Sequence, residues 1–182
     1  MLAQEIHHRV KNNLQTVASL LRLQARSTDV DAQKALGDSV NRILAIAAVH
    51  EVLTEHREDD VDLGELIGRL RAMLVQGLVA GTTVEAELAS VSLAGDRATA
   101  LALVFCELFG NALEHGGSTV RIVLAQEEGS VQLVIADDGA GLDGGADGTG
   151  LSIVRALVRD ELGGTLALRS EPGLHAEVVF PA

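Results

Sequence analysis

Glu5-Ile6-His7-His8-Arg9-Val10-Lys11-Asn12-Asn13-Leu14-Gln15 is the stretch from which the rest of the chain can be read. Ile6, Val10, Leu14, Val17 and Leu21 recur at steps of four, four, three and four, the spacing of one face of an α-helix. At about 100° per residue they fall within an arc of roughly 80°. His8 then points about 160° from the centre of that arc and His7 about 60° from it. His8 is therefore expected to face solvent, and His7 to flank the buried seam. A histidine on the open side of a rigid helix can be reached by another domain. Its free ring nitrogen is a competent nucleophile near neutral pH, because the unperturbed pKa is about 6.5.

The spacing predicts a first helix over 3–26. Ser27-Thr28-Asp29-Val30-Asp31 is a polar break, with Asp29 or Asp31 as N-cap of a second helix over roughly 32–56. Its expected apolar seam is Leu36, Val40, Ile43, Leu44, Ala47 and Leu53. Two helices joined by a short loop form an antiparallel hairpin. A lone hairpin cannot bury a one-sided stripe, so a second copy is expected: a homodimer closing a four-helix bundle. Glu55-His56-Arg57-Glu58-Asp59-Asp60 reads as a charged, extended linker and a mobile joint. The hairpin domain is accordingly assigned to residues 1–57 and a second domain to 61–182.

Composition narrows the function classes. A formal net charge of −12 argues against direct nucleic-acid binding, which needs a basic surface. With no Trp, no Tyr and three Phe there is no platform for base stacking. The single cysteine, Cys106, excludes an internal disulfide and a thiolate metal cluster, and its apolar surroundings predict an inert, buried thiol in a reducing, cytoplasmic compartment. The apolar run from Ala98 to Phe105 is far short of a membrane span, and a charged amphipathic helix follows Met1 directly, so no signal peptide or membrane segment is expected.

The second domain alternates element types. A glycine-bearing helix over Leu63–Val79 precedes a strand over Thr82–Leu88. Asp96 is the expected N-cap of a long helix ending at His115, before Gly116-Gly117. A strand through Val120, Ile122 and Leu124 turns at Glu127-Glu128-Gly129 into a strand over Val131–Ala136. A Gly-rich loop, a helix over Leu151–Leu162 and two strands, 165–170 and 175–180, about Glu171-Pro172-Gly173 complete it. The expected fold is an α/β two-layer sandwich with a mixed, largely antiparallel sheet.

Three segments carry chemistry there. Asp137-Asp138-Gly139-Ala140-Gly141 leaves a buried strand: a carboxylate at a strand end can accept the exocyclic amine of adenine, and the glycines permit close backbone approach. Gly148-Thr149-Gly150-Leu151 opens a helix whose N-terminal amides favour phosphate. Glu107, Asn111 and Glu114 share one helix face, and a carboxylate one turn from an amide suits a Mg²⁺ that bridges phosphates. Taken singly, the first is an ordinary loop and the last a solvated helix face.

Together, in this order, the three resemble the Bergerat-type ATP-binding domain, and Glu5 to Gln15 resembles the dimerisation and phosphoacceptor segment of the HisKA_2 class of sensor histidine kinases. The resemblance implies ATP and Mg²⁺ as cofactors, His8 as phosphoacceptor with His7 as runner-up, Glu107 and Asn111 at the Mg²⁺ end, and His115 near the phosphates. It places Asp137 at the adenine, Gly139 and Gly141 in the first glycine box, and Gly148, Gly150 and Leu151 in the second. Asn12, one turn after His8, is placed to orient a water for a reverse, phosphatase reaction. The implied activity is autophosphorylation followed by transfer to an aspartate on a response-regulator receiver; the resemblance is nearest to cytoplasmic kinases whose regulators carry an RNA-binding output domain. Two departures stand out. Leu142 to Asp147 is very short for a nucleotide lid, and His8 lies so near the start that no sensor domain is expected within these residues. The alternatives are a non-catalytic dimerisation module with a decayed nucleotide site, and an anti-sigma-type serine kinase or ATPase of the same fold.

Overall fold

The computed structural model describes residues 14, 30–56, 60–76, 81–115, 117–141, 149–170 and 173–182. Leu14 is helical, and the rest of the expected first helix, with His7, His8 and Asn12, lies outside the described residues.

Helix α1 spans Val30–His56, close to its expected bounds. It has two apolar faces where one was expected. On the expected seam Val40 and Ala47 are buried, and Leu36, Ile43 and Leu44 are half-buried. A second stripe, Ala45, Val49 and Val52, is fully buried in the core of the following domain. At about 100° per residue the two stripes lie about 160° apart, on nearly opposite sides of the helix. Leu53, assigned to the seam, packs on that core instead; it lies about 70° from the second stripe and about 125° from the seam. Packing is therefore continuous across the charged stretch 55–60, since α1 contacts both β1 and a later helix.

Beyond the linker, β1 (Asp60–Asp62) pairs antiparallel with β3 (Ser92–Ala94). Three-residue strands are too short to show an alternating pattern, which is why the sequence did not reveal them. Helix α2 spans Leu63–Val75, capped by Asp62, whose Oδ1 accepts the Glu65 N–H at 2.8 Å. It stops at Val75, short of the expected Val79; Gln76 closes it before Gly77, and 77–80 lie outside the described residues.

The main sheet contains β2 (Thr83–Leu88), β4 (Thr119–Glu127), β5 (Ser130–Asp137), β6 (Thr165–Arg169) and β7 (His175–Pro181). Its order is β2-β4-β5-β7-β6, so β2 and β6 are the two edges. β2 runs parallel to β4, and every other pair is antiparallel, giving the expected mixed sheet. Glu128 and Gly129 close the β4–β5 hairpin with positive φ, 47° and 80°, as a two-residue turn between twisted strands requires.

Side chains alternate across the sheet. Val120, Ile122, Leu124, Val131, Leu133, Ile135, Ala176, Val178 and Phe180 all point to the buried face. Against that core pack α2, α3 (Gly95–His115) and α4 (Thr149–Asp160). α3 is the hub: it contacts α1, α2, α4 and β5, and it stacks Phe105 on Phe109 at 5.1 Å between ring centroids. Asp96, expected as its N-cap, lies one residue inside the helix and accepts the Arg97 N–H. α4 starts two residues earlier than expected and ends at Asp160, where Gly164 N–H bonds the Val158 carbonyl and Gly163 turns with φ +63°. Among the described residues no helix is long and apolar enough to cross a membrane.

Candidate nucleotide site

Asp137 ends β5, and its carboxylate is oriented by backbone. Oδ1 accepts the N–H groups of Gly139 at 2.9 Å and Leu174 at 3.2 Å, while Asp137 N–H donates to the Leu174 carbonyl at 2.9 Å. Among the described residues nothing bonds Oδ2, so a fixed acceptor is left for a ligand. The fit is close enough to exclude side chains around it. A Cβ on Gly173, at φ +74°, would overlap the Asp137 carbonyl. One on Gly141, at φ +75°, would overlap the Ser170 hydroxyl. Glycine is required at both positions.

The neighbouring Asp138 has a different task. Its carboxylate accepts the Ser118 hydroxyl and the Thr119 N–H, each at 2.8 Å, and a Cβ on Gly117 would come within 2.6 Å of Oδ1. The Thr119 amide first, then the Ser118 hydroxyl, holds this carboxyl below its usual value. Asp138 thus ties the end of β5 to the segment that leaves α3, and Asp137 is left to face outward.

α3 presents Glu107, Asn111, Glu114 and His115 along successive turns. Glu107 and Asn111 are half-buried; Glu114 and His115 are exposed, with His115 Nε2 3.6 Å from Glu114 Oε2. Glu107 is enclosed from two sides. Arg42 of α1 donates its Nε–H to Glu107 Oε1 at 2.6 Å, and a Cβ on Gly150 would lie 2.5 Å from Oε2. The structure thus brings Glu107 of the long helix to Gly150 at the start of α4. Gly148 and 142–147 lie outside the described residues. Leu151 is buried in the core, so its offering to a ligand is the backbone N–H in the first turn of α4. Next to Glu107, burial above all, and then the Glu107 charge, pushes the Cys106 thiol up to about 12.

These donors fit the expected groups. Mg²⁺ prefers oxygen ligands and takes only one or two carboxylates when phosphates complete its shell. Glu107 and Asn111 supply a carboxylate and an amide one turn apart on α3, and among the described residues no cluster of three or more His, Cys, Asp or Glu forms an all-protein metal cage. Arg42, Ser118, Asp138 and Ser170 were not singled out from sequence. Arg42 stands 65 positions from Glu107 and Ser118 20 from Asp138, so no local motif joins them.

Comparison with known proteins gives two family matches along the chain. Residues 5–78 match the family described as histidine kinase, HisKA_2, and residues 96–182 match the histidine kinase-, DNA gyrase B- and HSP90-like ATPase family. The two matched segments follow one another and together take in most of the chain, a HisKA_2-type segment ahead of an ATPase-type module. It is 40% identical to the sensor histidine kinase PdtaS of Mycolicibacterium smegmatis over 97% of its length, and 41% identical to that of Mycobacterium tuberculosis. The chain spans 38% of the length of these relatives. In fold it matches the histidine kinase domain of the Erythrobacter litoralis EL346 blue-light activated histidine kinase, with TM-score 0.73 and 23% identity, over 98% of this chain and 92% of that one. The HisKA_2 match leaves neither the decayed module nor the anti-sigma-type enzyme favoured.

Proposed function

We propose that the chain is the autophosphorylating core of a cytoplasmic two-component kinase, with residues 1–57 as hairpin and 61–182 as ATP-binding domain. The observation that carries this reading is the oriented Asp137 carboxylate, with Oδ2 left over, and the Glu107–Gly150 approach supports it. Asp137 Oδ2 accepts the adenine amine. Glu107 and the Asn111 amide oxygen hold Mg²⁺, His115 lies toward the phosphates, and the first-turn amides at Gly150 and Leu151 receive phosphate oxygens. The ion, when bound, supplies charge neutralisation to the transferring phosphoryl group. A ring nitrogen of His8 attacks it, and ADP leaves. The leftover seam of α1, with half-buried Leu36, Ile43 and Leu44, supports a homodimer. The receiver aspartate of a response regulator takes the phosphoryl group next, and an RNA-binding output domain on that regulator is the finer expectation. Asn12 orients water for the reverse reaction.

The test is incubation with Mg²⁺ and γ-labelled ATP, with His8→Gln and His7→Gln alongside. Acid-labile, alkali-stable label lost only in His8→Gln is expected. Loss only in His7→Gln would move the acceptor by one residue, and a wild-type protein that neither binds ATP nor takes up label would sink the reading.

A further inference from the structure

The contact between Arg42 and Glu107 joins the hairpin helix to the proposed Mg²⁺ end of the nucleotide site. Arg42 belongs to the second stripe of α1: 42, 45, 49 and 52 follow at steps of three, four and three. That stripe lies on the core, so Arg42 is carried to α3 by the packing of Ala45, Val49 and Val52. The Glu107 side chain is 10% exposed and that of Arg42 29%. A carboxylate so covered is strongly destabilising without a cation. Oε1 has its cation in Arg42, and Oε2 faces the start of α4 at Gly150, where only a residue without a Cβ leaves it room. Asp38, one turn before Arg42, is a second negative charge acting on the guanidinium. A divalent ion that takes Glu107 through Oε1 competes with the Arg42 Nε–H for that oxygen.

We infer that Arg42 is a clasp displaced by the loaded nucleotide: it satisfies Glu107 while no divalent ion does, and Mg²⁺·nucleotide binding frees this end of α1. The inference rests on the proposed ATP site. By linkage, the factor by which Arg42 weakens Mg²⁺·nucleotide binding equals the factor by which Mg²⁺·nucleotide weakens the hold of Arg42 on Glu107. In this way occupancy of the site is reported to the hairpin without any contact between the ligand and α1. Arg42 is a positioning residue here, since its partner is Glu107 and not the reacting atoms.

The experiment uses the full chain and ADP, titrated calorimetrically with Mg²⁺ and again in EDTA. Arg42→Ala, and the volume-preserving Arg42→Met in case alanine loosens the fold, should bind Mg²⁺·ADP roughly tenfold more tightly than wild type, a coupling of ordinary size. Binding of ADP in EDTA should stay unchanged, and the gain should vanish in a Glu107→Gln background. Hydrogen exchange should show amides of 38–46 opening when Mg²⁺·ADP binds wild type, and already open in the variants. Unchanged Mg²⁺·ADP affinity in both variants overturns the clasp, and weakened affinity would overturn it in favour of a direct phosphate contact. A wild-type chain that binds no ADP under either condition overturns the ATP-site reading itself, and the clasp with it.

Discussion

Asp137 and Asp138 are chemically identical neighbours separated in role by what donates to them. Asp138 receives two donors from the adjacent segment and becomes a fastener, whereas Asp137 receives two on one oxygen and keeps the other. Because the folded Asp138 pKa is depressed, its contribution to stability is present above the ordinary value of 3.8 and is lost as pH falls below it. Urea unfolding should therefore show Asp138→Asn less stable than wild type at neutral pH, with the difference shrinking as pH drops below 3.8. Cys106 has the opposite sign. With its thiol raised from 9.0 to about 12, the neutral form is favoured in the fold; that preference is complete below pH 9.0 and fades as pH rises through about 12. At pH 8 a thiol reagent should leave native Cys106 unmodified for as long as the fold holds, and react promptly once urea unfolds it. The reading of Cys106 as buried and inert was available from its apolar neighbours. The division of labour between the two aspartates was available only in part: resemblance singled out Asp137, but Ser118 and Thr119 sit on a neighbouring segment that the sequence does not mark as adjacent.

At the scale of an element, α1 is the instructive case. Its heptad-like seam was read correctly at Val40 and Ala47. The opposite stripe escaped because Ala45, Val49 and Val52 are small residues interrupted by polar ones, and a one-faced helix accounts for most of the pattern. Burial of three modest side chains is a weak periodic signal but a real energetic one. Val49→Ala should cost about 2 kcal/mol, from roughly two methyl groups' transfer plus a residual cavity. Leu44→Ala on the seam should cost the ATP-binding domain much less, and should instead raise the protein concentration at which the chain associates. Chemical denaturation at several protein concentrations separates the two effects. The stripe also explains Arg42: once Ala45, Val49 and Val52 are seen to face α3, the next residue up the same stripe must meet the turn that carries Glu107.

For the whole molecule, the order of helices and strands and the mixed sheet could be read from alternation, glycine stops and turn residues. What could not be read was the degree to which α1 shares a core with the residues that follow it, because the charged stretch 55–60 looks like a separator in sequence and says nothing of what packs around it. A fragment starting at 61 leaves the α3 surface beneath Val49 and Val52 uncovered. It should unfold at a clearly lower urea concentration than a chain that retains α1, at equal protein concentration and with circular dichroism as the readout. Equal midpoints would mean that the shared packing contributes nothing to the stability of the ATP-binding domain.

The two edges of the sheet carry one more consequence. β2 turns Thr83, Glu85 and Glu87 outward, and β6 is a five-residue strand ending at Arg169. A second copy adding antiparallel to β2 would bring rows of glutamates against each other, and like charges directly opposite in a ladder are repulsive. β6 is too short to offer a long template, and short or charged edges are the usual protection against strand addition. With a net charge of −12 over the chain, the open sides of this sheet resist growth into fibrils.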